Sequence, residues 1–102
     1  MVIAVLAGAK VTKVRPGVVV SSDLYHRERP DVIMGILTTQ LPRSPGLTDH
    51  LLSDWRQAGL RASSCFRLYL ITIPQVDVSV IGRLTEQDWE QVEVRLRHGL
   101  GA

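Results

Sequence analysis

The sequence predicts a mainly β protein, a small and partly open barrel of one domain with a helix lying on it. Three observations carry this. β-Branched clusters at 18–20, 32–37 and 71–81 favour sheet over helical bundle. Pro and Gly cut the chain into short extended runs, as in small all-β folds. A chain of 102 residues with 45% hydrophobic content supports one small core, so 1–102 is read as a single domain.

The elements follow in order. The apolar stretch 2–6 is expected to be the first strand rather than the core of a signal peptide, being short and without a basic segment before it. A loop over 7–14 carries Lys10 and Lys13 and delivers the chain to Arg15-Pro16, where proline fixes φ directly after a guanidinium. A second strand is expected over 17–21. The charged stretch 23–30, closed by Pro30, reads as a connection that stays in solvent. The third strand, from 31 or 32 to 39, is apolar throughout, which implies burial on both faces; Gly35 at its centre marks a bulge or a close backbone approach.

Pro42, Pro45 and Gly46 then break the chain before 47–52, a short strand or part of a loop. One or two helical turns are expected over 53–59, with Ser53 as N-cap and Gly59 just past the end. From Ser64 the chain is extended again. Phe66, Leu68 and Leu70 alternate with Arg67, Tyr69 and Ile71, giving one apolar and one mixed face. Pro74 interrupts this, and 76–84 resumes it. The last helix opens at Thr85 with a near capping box to Asp88 and a staple of Leu84 on Trp89. Trp89, Val92 and Leu96 make a narrow apolar stripe, Arg95, Arg97 and His98 fill the last turn, and Gly99 is expected to end it.

Residues 1–43 hold six Lys/Arg against three Asp/Glu, whereas 44–102 hold six against seven. The basic half carries Lys10, Lys13, Arg15, Arg27, Arg29 and Arg43 in or beside expected loops, which suits an anionic partner such as nucleic acid. The single cysteine, Cys65, excludes an intramolecular disulfide, fits a reducing compartment and reads as a small core residue. No segment approaches the roughly 18 apolar residues of a membrane span. A cytoplasmic protein is therefore expected.

Arg15 at the start of one strand and Thr38-Thr39 at the end of another offer a guanidinium and hydroxyls, the groups a metal-free phosphate site needs. Successive strand residues face opposite ways, so only one threonine can share a groove with Arg15; Thr38 is chosen. In the basic connection, Tyr25 is a candidate for stacking an unpaired base, with Arg27 and Arg29 beside it. His26 is the one histidine near this region in sequence, and a solvent-exposed or structural role is preferred for it.

Four blocks of residues, in order and in register, resemble one known family. They are Lys13-x-Arg15-Pro16-x-Val-Val-Val-Ser-Ser-Asp, Asp31-Val-Ile-x-Gly-Ile-Leu-Thr38-Thr39, Asp54-Trp55-x-x-Ala58-Gly59-Leu60 with Ser63-Ser64, and Ile81-Gly82-Arg83-Leu84-Thr85-x-x-Asp88-Trp89. Over about 2–100 they are similar to the PemK/MazF toxins of bacterial toxin–antitoxin pairs. The resemblance implies a small SH3-like barrel of the CcdB/MazF type, with a short helix and a C-terminal amphipathic helix. It implies a homodimeric endoribonuclease that cuts single-stranded RNA at short motifs without metal or other cofactor, leaves a 2′,3′-cyclic phosphate and is inhibited by a cognate antitoxin. The family's catalytic arginine falls on Arg15 and its catalytic threonine or serine on Thr38. Lys10, Lys13, Tyr25, His26, Arg27, Arg29 and Thr39 are the expected RNA-binding residues. At Leu70 and Pro74 the chain departs from the polar or acidic residues common in the family, so no relative's RNA specificity transfers. Two non-enzymatic readings compete: a gyrase-poisoning toxin and a catalytically silent binding barrel. Arg15 with Thr38 favours cleavage over both. An arginine is nonetheless a poor general base near neutral pH, so its expected work is electrostatic.

Overall fold

The computed structural model describes residues 2–6, by their backbone, and 15–101. Lys10 and Lys13 lie outside the described residues. Six strands form one antiparallel sheet: β1 (Val2–Leu6), β2 (Arg15–Val19), β3 (Asp31–Thr38), β4 (Asp49–Leu51), β5 (Cys65–Pro74) and β6 (Val78–Arg83), in spatial order β4-β5-β3-β2-β1-β6. The fold is mainly β and its sheet is not closed, in keeping with the partly open barrel expected. Among the described residues no ladder joins the edge strands β4 and β6.

β2 starts at Arg15 rather than Gly17, with Pro16 paired to Val5. Proline is tolerated there because the ladder to β3 begins only at Gly17, so no donor is missing from it. The connection 23–30 is not all loop, for Asp23–Glu28 form helix α1. Its N-cap Ser22 accepts the Tyr25 N–H at 3.2 Å, and the Gln75 side-chain amide donates to the carbonyls of His26 and Arg29. α1 ends at Arg29, which is extended because Pro30 follows. None of its residues is buried, so the expected solvent exposure holds while the loop assignment does not.

β3 lies at the centre of the sheet and separates two apolar clusters. Val18, Leu37, Leu52, Ala58, Phe66, Leu84 and Val92 pack on one face; Val19, Val32 and Met34, with Ile71, Ile73 and Val78 against them, pack on the other. Val18 and Val19 fall on opposite faces by strand alternation. The register between β3 and β5 shifts at Gly35, where the expected close approach also occurs: a Cβ there would meet the Phe66 ring.

Helix α2 (Glu86–Leu100) covers the first cluster with Trp89, Val92 and Leu96, the expected stripe. Thr85 caps it by accepting the Asp88 N–H at 3.3 Å. The helix passes through Gly99 and ends at Gly101, whose φ is 69°. A side chain at Gly99 would collide with Leu68 and press on Thr48, so that glycine serves packing and the next one serves termination.

Residues 55–59 make a single turn. Leu60 N–H donates to the Trp55 carbonyl at 3.1 Å and Gly59 N–H to that of Arg56 at 3.0 Å, a Schellman closure with Gly59 at φ 94°. Ser53 is not its side-chain cap. The backbone N–H groups of Ser53 and Asp54 instead reach the buried carboxylate of Asp88, which His50 also contacts. Cys65 is fully buried, and burial followed by the Asp49 charge pushes its thiol pKa up, consistent with a core residue. Among the described residues no helix is long and apolar enough to cross a membrane.

Candidate functional site

Register places the two leading residues together. Gly17 pairs with Ile36, and two residues further along each antiparallel strand stand Arg15 and Thr38. Both line a cleft of about 430 Å³, with Ile36 and Gln40 from the β3 side and Arg67, Tyr69 and Ile71 from β5. Thr39 turns the other way. It lines a separate cleft of about 600 Å³ with Pro16, Gly59, Leu60, Arg61, Ala62, Ser64 and Ile81.

The Thr38 hydroxyl accepts the backbone N–H of Gln40 at 3.1 Å. That bond occupies a lone pair and leaves the hydroxyl proton to donate into the cleft. Arg15 and Arg67 are exposed, and among the described residues neither has a carboxylate within ion-pair distance. Asp49, across the ladder from Arg67, turns its carboxylate back to the Gly46 N–H at 3.3 Å. The cleft therefore offers two guanidiniums, one oriented hydroxyl and an exposed aromatic ring. Among its described lining residues there is no histidine or carboxylate. No group of three or more His, Cys, Asp or Glu converges as metal ligands among the described residues.

Tyr25, His26, Arg27 and Arg29 are not brought to this cleft. They sit on or beside α1, where β3 begins, while Thr38 ends that eight-residue strand. The strand rise puts the two ends roughly 23 Å apart. There Tyr25 Oη donates to Asp31 Oδ2 at 2.7 Å, and Arg29 Nε lies 3.6 Å from Asp31 Oδ1. The shared hydrogen bond is the main cause that raises the Tyr25 pKa and lowers that of Asp31. The His26 ring is bonded to Ser21 Oγ, which accepts the Ile33 N–H. Arg67, Tyr69 and Gln40 join the cleft without having been singled out as site residues from sequence. The mixed face of β5 was the available signal for the first two.

A basic cleft across the strands of an open antiparallel sheet, with a C-terminal helix behind it, defines a small sheet protein suited to binding a phosphate-bearing ligand. Residues 2–100 match the PemK-like, MazF-like toxin family of type II toxin–antitoxin systems. The chain belongs to that toxin family. No curated individual protein matches it.

Among solved structures, the Mycobacterium tuberculosis toxin MazF-mt6 superposes with a TM-score of 0.79 at 17% identity, over 99% of this chain and 97% of that one. A mycobacterial endoribonuclease in complex with its cognate antitoxin gives 0.77 at 18%, over 96% and 91%. A MazE–MazF structure from Deinococcus radiodurans gives 0.76 at 14%, over 98% and 91%. At these identities the likeness carries the fold.

Proposed function

We propose that the protein is a metal-independent, sequence-selective endoribonuclease toxin of the cytoplasm, with Arg15 and Thr38 as its catalytic residues. One observation carries the proposal: the guanidinium and the oriented hydroxyl line one cleft. The ribose 2′-oxygen attacks the adjacent phosphorus, the bond from phosphorus to the 5′-oxygen breaks, and the products are a 2′,3′-cyclic phosphate and a 5′-hydroxyl. The 2′-hydroxyl loses its proton and the departing 5′-oxygen gains one. In the transition state, negative charge collects on the non-bridging oxygens. A forked guanidinium can donate to two acceptors and the Thr38 hydroxyl to another, which stabilises that state more than the ground state.

RNA is the proposed substrate because both arginines in the cleft are unpaired among the described residues. A cognate antitoxin and a second copy of the chain are the proposed partners. The antitoxin reading is supported by the complexed relatives. The dimer reading has support in exposed Val80 and Ile81 on edge strand β6.

The test is incubation of the purified protein with single-stranded RNA in EDTA, followed by analysis of the ends. Cyclic phosphate ends, absent with Arg15→Ala of unchanged fold, are expected. Activity lost in EDTA and restored by magnesium would sink the mechanism. Intact RNA together with gyrase inhibition would support the non-enzymatic alternative.

A further inference from the structure

β5 carries two residues more than its pairing with β3 uses. Gly35 pairs with Leu70 and Ile36 with Arg67, so Leu68 and Tyr69 have no partner on β3. Bulges bend a strand and re-aim its side chains. Alternation then sends the pair to opposite faces. Leu68 packs against the core and fills the space over Gly99 of α2. Tyr69 goes to the other face, where it lines the cleft with Arg15 and Thr38.

Tyr69 is 67% exposed, an unusual state for an aromatic ring inside a cleft. No hydrogen bond, aromatic pair or cation–π contact holds it among the described residues. Ile36 and Ile71, both half-buried, form an apolar floor beside it. Arg67 lies on the same face, two residues away and opposite Ile36, without a carboxylate partner among the described residues. Strand spacing separates the Arg67 and Arg15 backbones by about 12 Å. An apolar face flanked by two separated cations matches single-stranded nucleic acid, whose bases stack on aromatics while its phosphates meet arginines.

We propose that Tyr69 is the platform on which a base flanking the scissile phosphate stacks, and that Arg67 holds a neighbouring phosphate. The bulge of β5 is then the specificity device of the cleft. This rests on the assignment of Arg15 and Thr38 as the RNA-cleaving pair.

The test uses the full chain with Tyr69→Leu, Tyr69→Phe and Arg67→Gln, on RNAs covering all short motifs and on a 2′-deoxy oligonucleotide that cannot be cut. Tyr69→Leu should weaken binding to the uncut strand tenfold to a hundredfold, on the order of one lost stacking contact, raise KM more than it lowers kcat, and relax base preference at one position. Tyr69→Phe should restore binding and preference, because stacking needs the ring and not the hydroxyl. Arg67→Gln should weaken all sequences alike and reduce the salt slope by about one unit. Unchanged affinity and preference in Tyr69→Leu would overturn the proposal. So would an effect confined to antitoxin affinity, which would assign the bulge to the protein partner. If the wild-type protein binds the strand through Tyr69 but cuts no RNA, the stacking platform stands and the cleavage assignment falls. If Arg15→Ala abolishes cutting while Tyr69→Leu is silent, the reverse holds.

Discussion

Asp88 Oδ1, on a side chain with no exposure, lies 2.8 Å from His50 Nε2. The same oxygen accepts the Ser53 N–H at 2.9 Å, and Oδ2 accepts the Asp54 N–H at 2.9 Å. One carboxylate in the first turn of α2 thus fastens β4, the turn after it and the terminal helix. Asp88→Asn would set an amide donor against a backbone donor or against His50. The expected loss is about 3 kcal/mol, a large part of a small domain's stability. Urea denaturation measures it; an unchanged midpoint would show that the junction holds without the charge.

The same carboxylate gives the fold a dependence on acid. Burial works to raise the Asp88 pKa, but the Ser53 N–H, His50 and the Asp54 N–H outweigh it, and the net direction is down. The Tyr25 hydroxyl likewise lowers Asp31. A carboxylate depressed in the folded state binds fewer protons there than in the unfolded chain. Its contribution is therefore complete above the ordinary value of 3.8 and is lost as pH falls through the folded value. Urea midpoints should be flat from about pH 7 to 5 and fall below about pH 4. The Asp88→Asn variant should fall less steeply. Equal slopes in the two proteins would remove Asp88 from the acid response.

What the sequence showed and what it hid divide along physical lines. The terminal helix was legible because Thr85, Leu84 and Trp89 are local signals and the stripe through Val92 and Leu96 spans several turns. Asp88 fitted the capping box by type, yet its carboxylate serves residues more than thirty positions away, which no local motif reveals. α1 escaped notice because its six residues, none of them buried, carry no apolar period. Alternation implied only that one of Thr38 and Thr39 could share a groove with Arg15, and the two do line different clefts, Thr38 the one with Arg15. Tyr25 and His26 stand close to Arg15 in sequence, but β2 carries the chain to the far end of the sheet before α1 begins. Tyr69 shares the mixed face of β5 with Arg67 by alternation, but the cleft it lines arises only from the pairing of β5 with β3, some thirty residues away in sequence.

Gly35→Ala tests the core beneath the cleft. The added Cβ would overlap the Phe66 ring, which is fully buried in the first cluster and must shift to make room. Overpacking of this kind costs about 1–3 kcal/mol. A fall in thermal midpoint of several degrees is the expected result. It should be relieved in the double variant with Phe66→Leu, and a double variant no more stable than the additive sum would argue against direct contact.

His26→Ala separates proximity in sequence from participation in chemistry. Its ring is tied to Ser21 at the α1 end of the sheet, and among its described residues the cleft holds no histidine or carboxylate. Cleavage by the variant should stay within about threefold of wild type, well short of the hundredfold expected on losing a general base. The wild-type rate should rise with pH without an inflection near the ordinary histidine pKa of about 6.5. A plateau above that pH which disappears in His26→Ala would make the histidine the base.

The strongest test of the cleft separates charge from geometry at Arg15 and Thr38. A lysine at 15 keeps the positive charge but replaces a planar fork with a point donor, so Arg15→Lys should lose about a hundredfold or more in kcat with little change in KM. Thr38 accepts the Gln40 N–H and has its proton left to donate. Thr38→Ser preserves both roles and should stay within about tenfold, whereas Thr38→Val keeps the shape, removes the donor and should cost 10²- to 10³-fold, on the order seen when a transition-state donor is deleted. The loss must appear in kcat, since the hydroxyl acts on charge that develops only as the 2′-oxygen attacks. If Thr38→Val instead raised KM and left kcat intact, Thr38 would be a binding residue, and Arg15 would act without a hydroxyl partner.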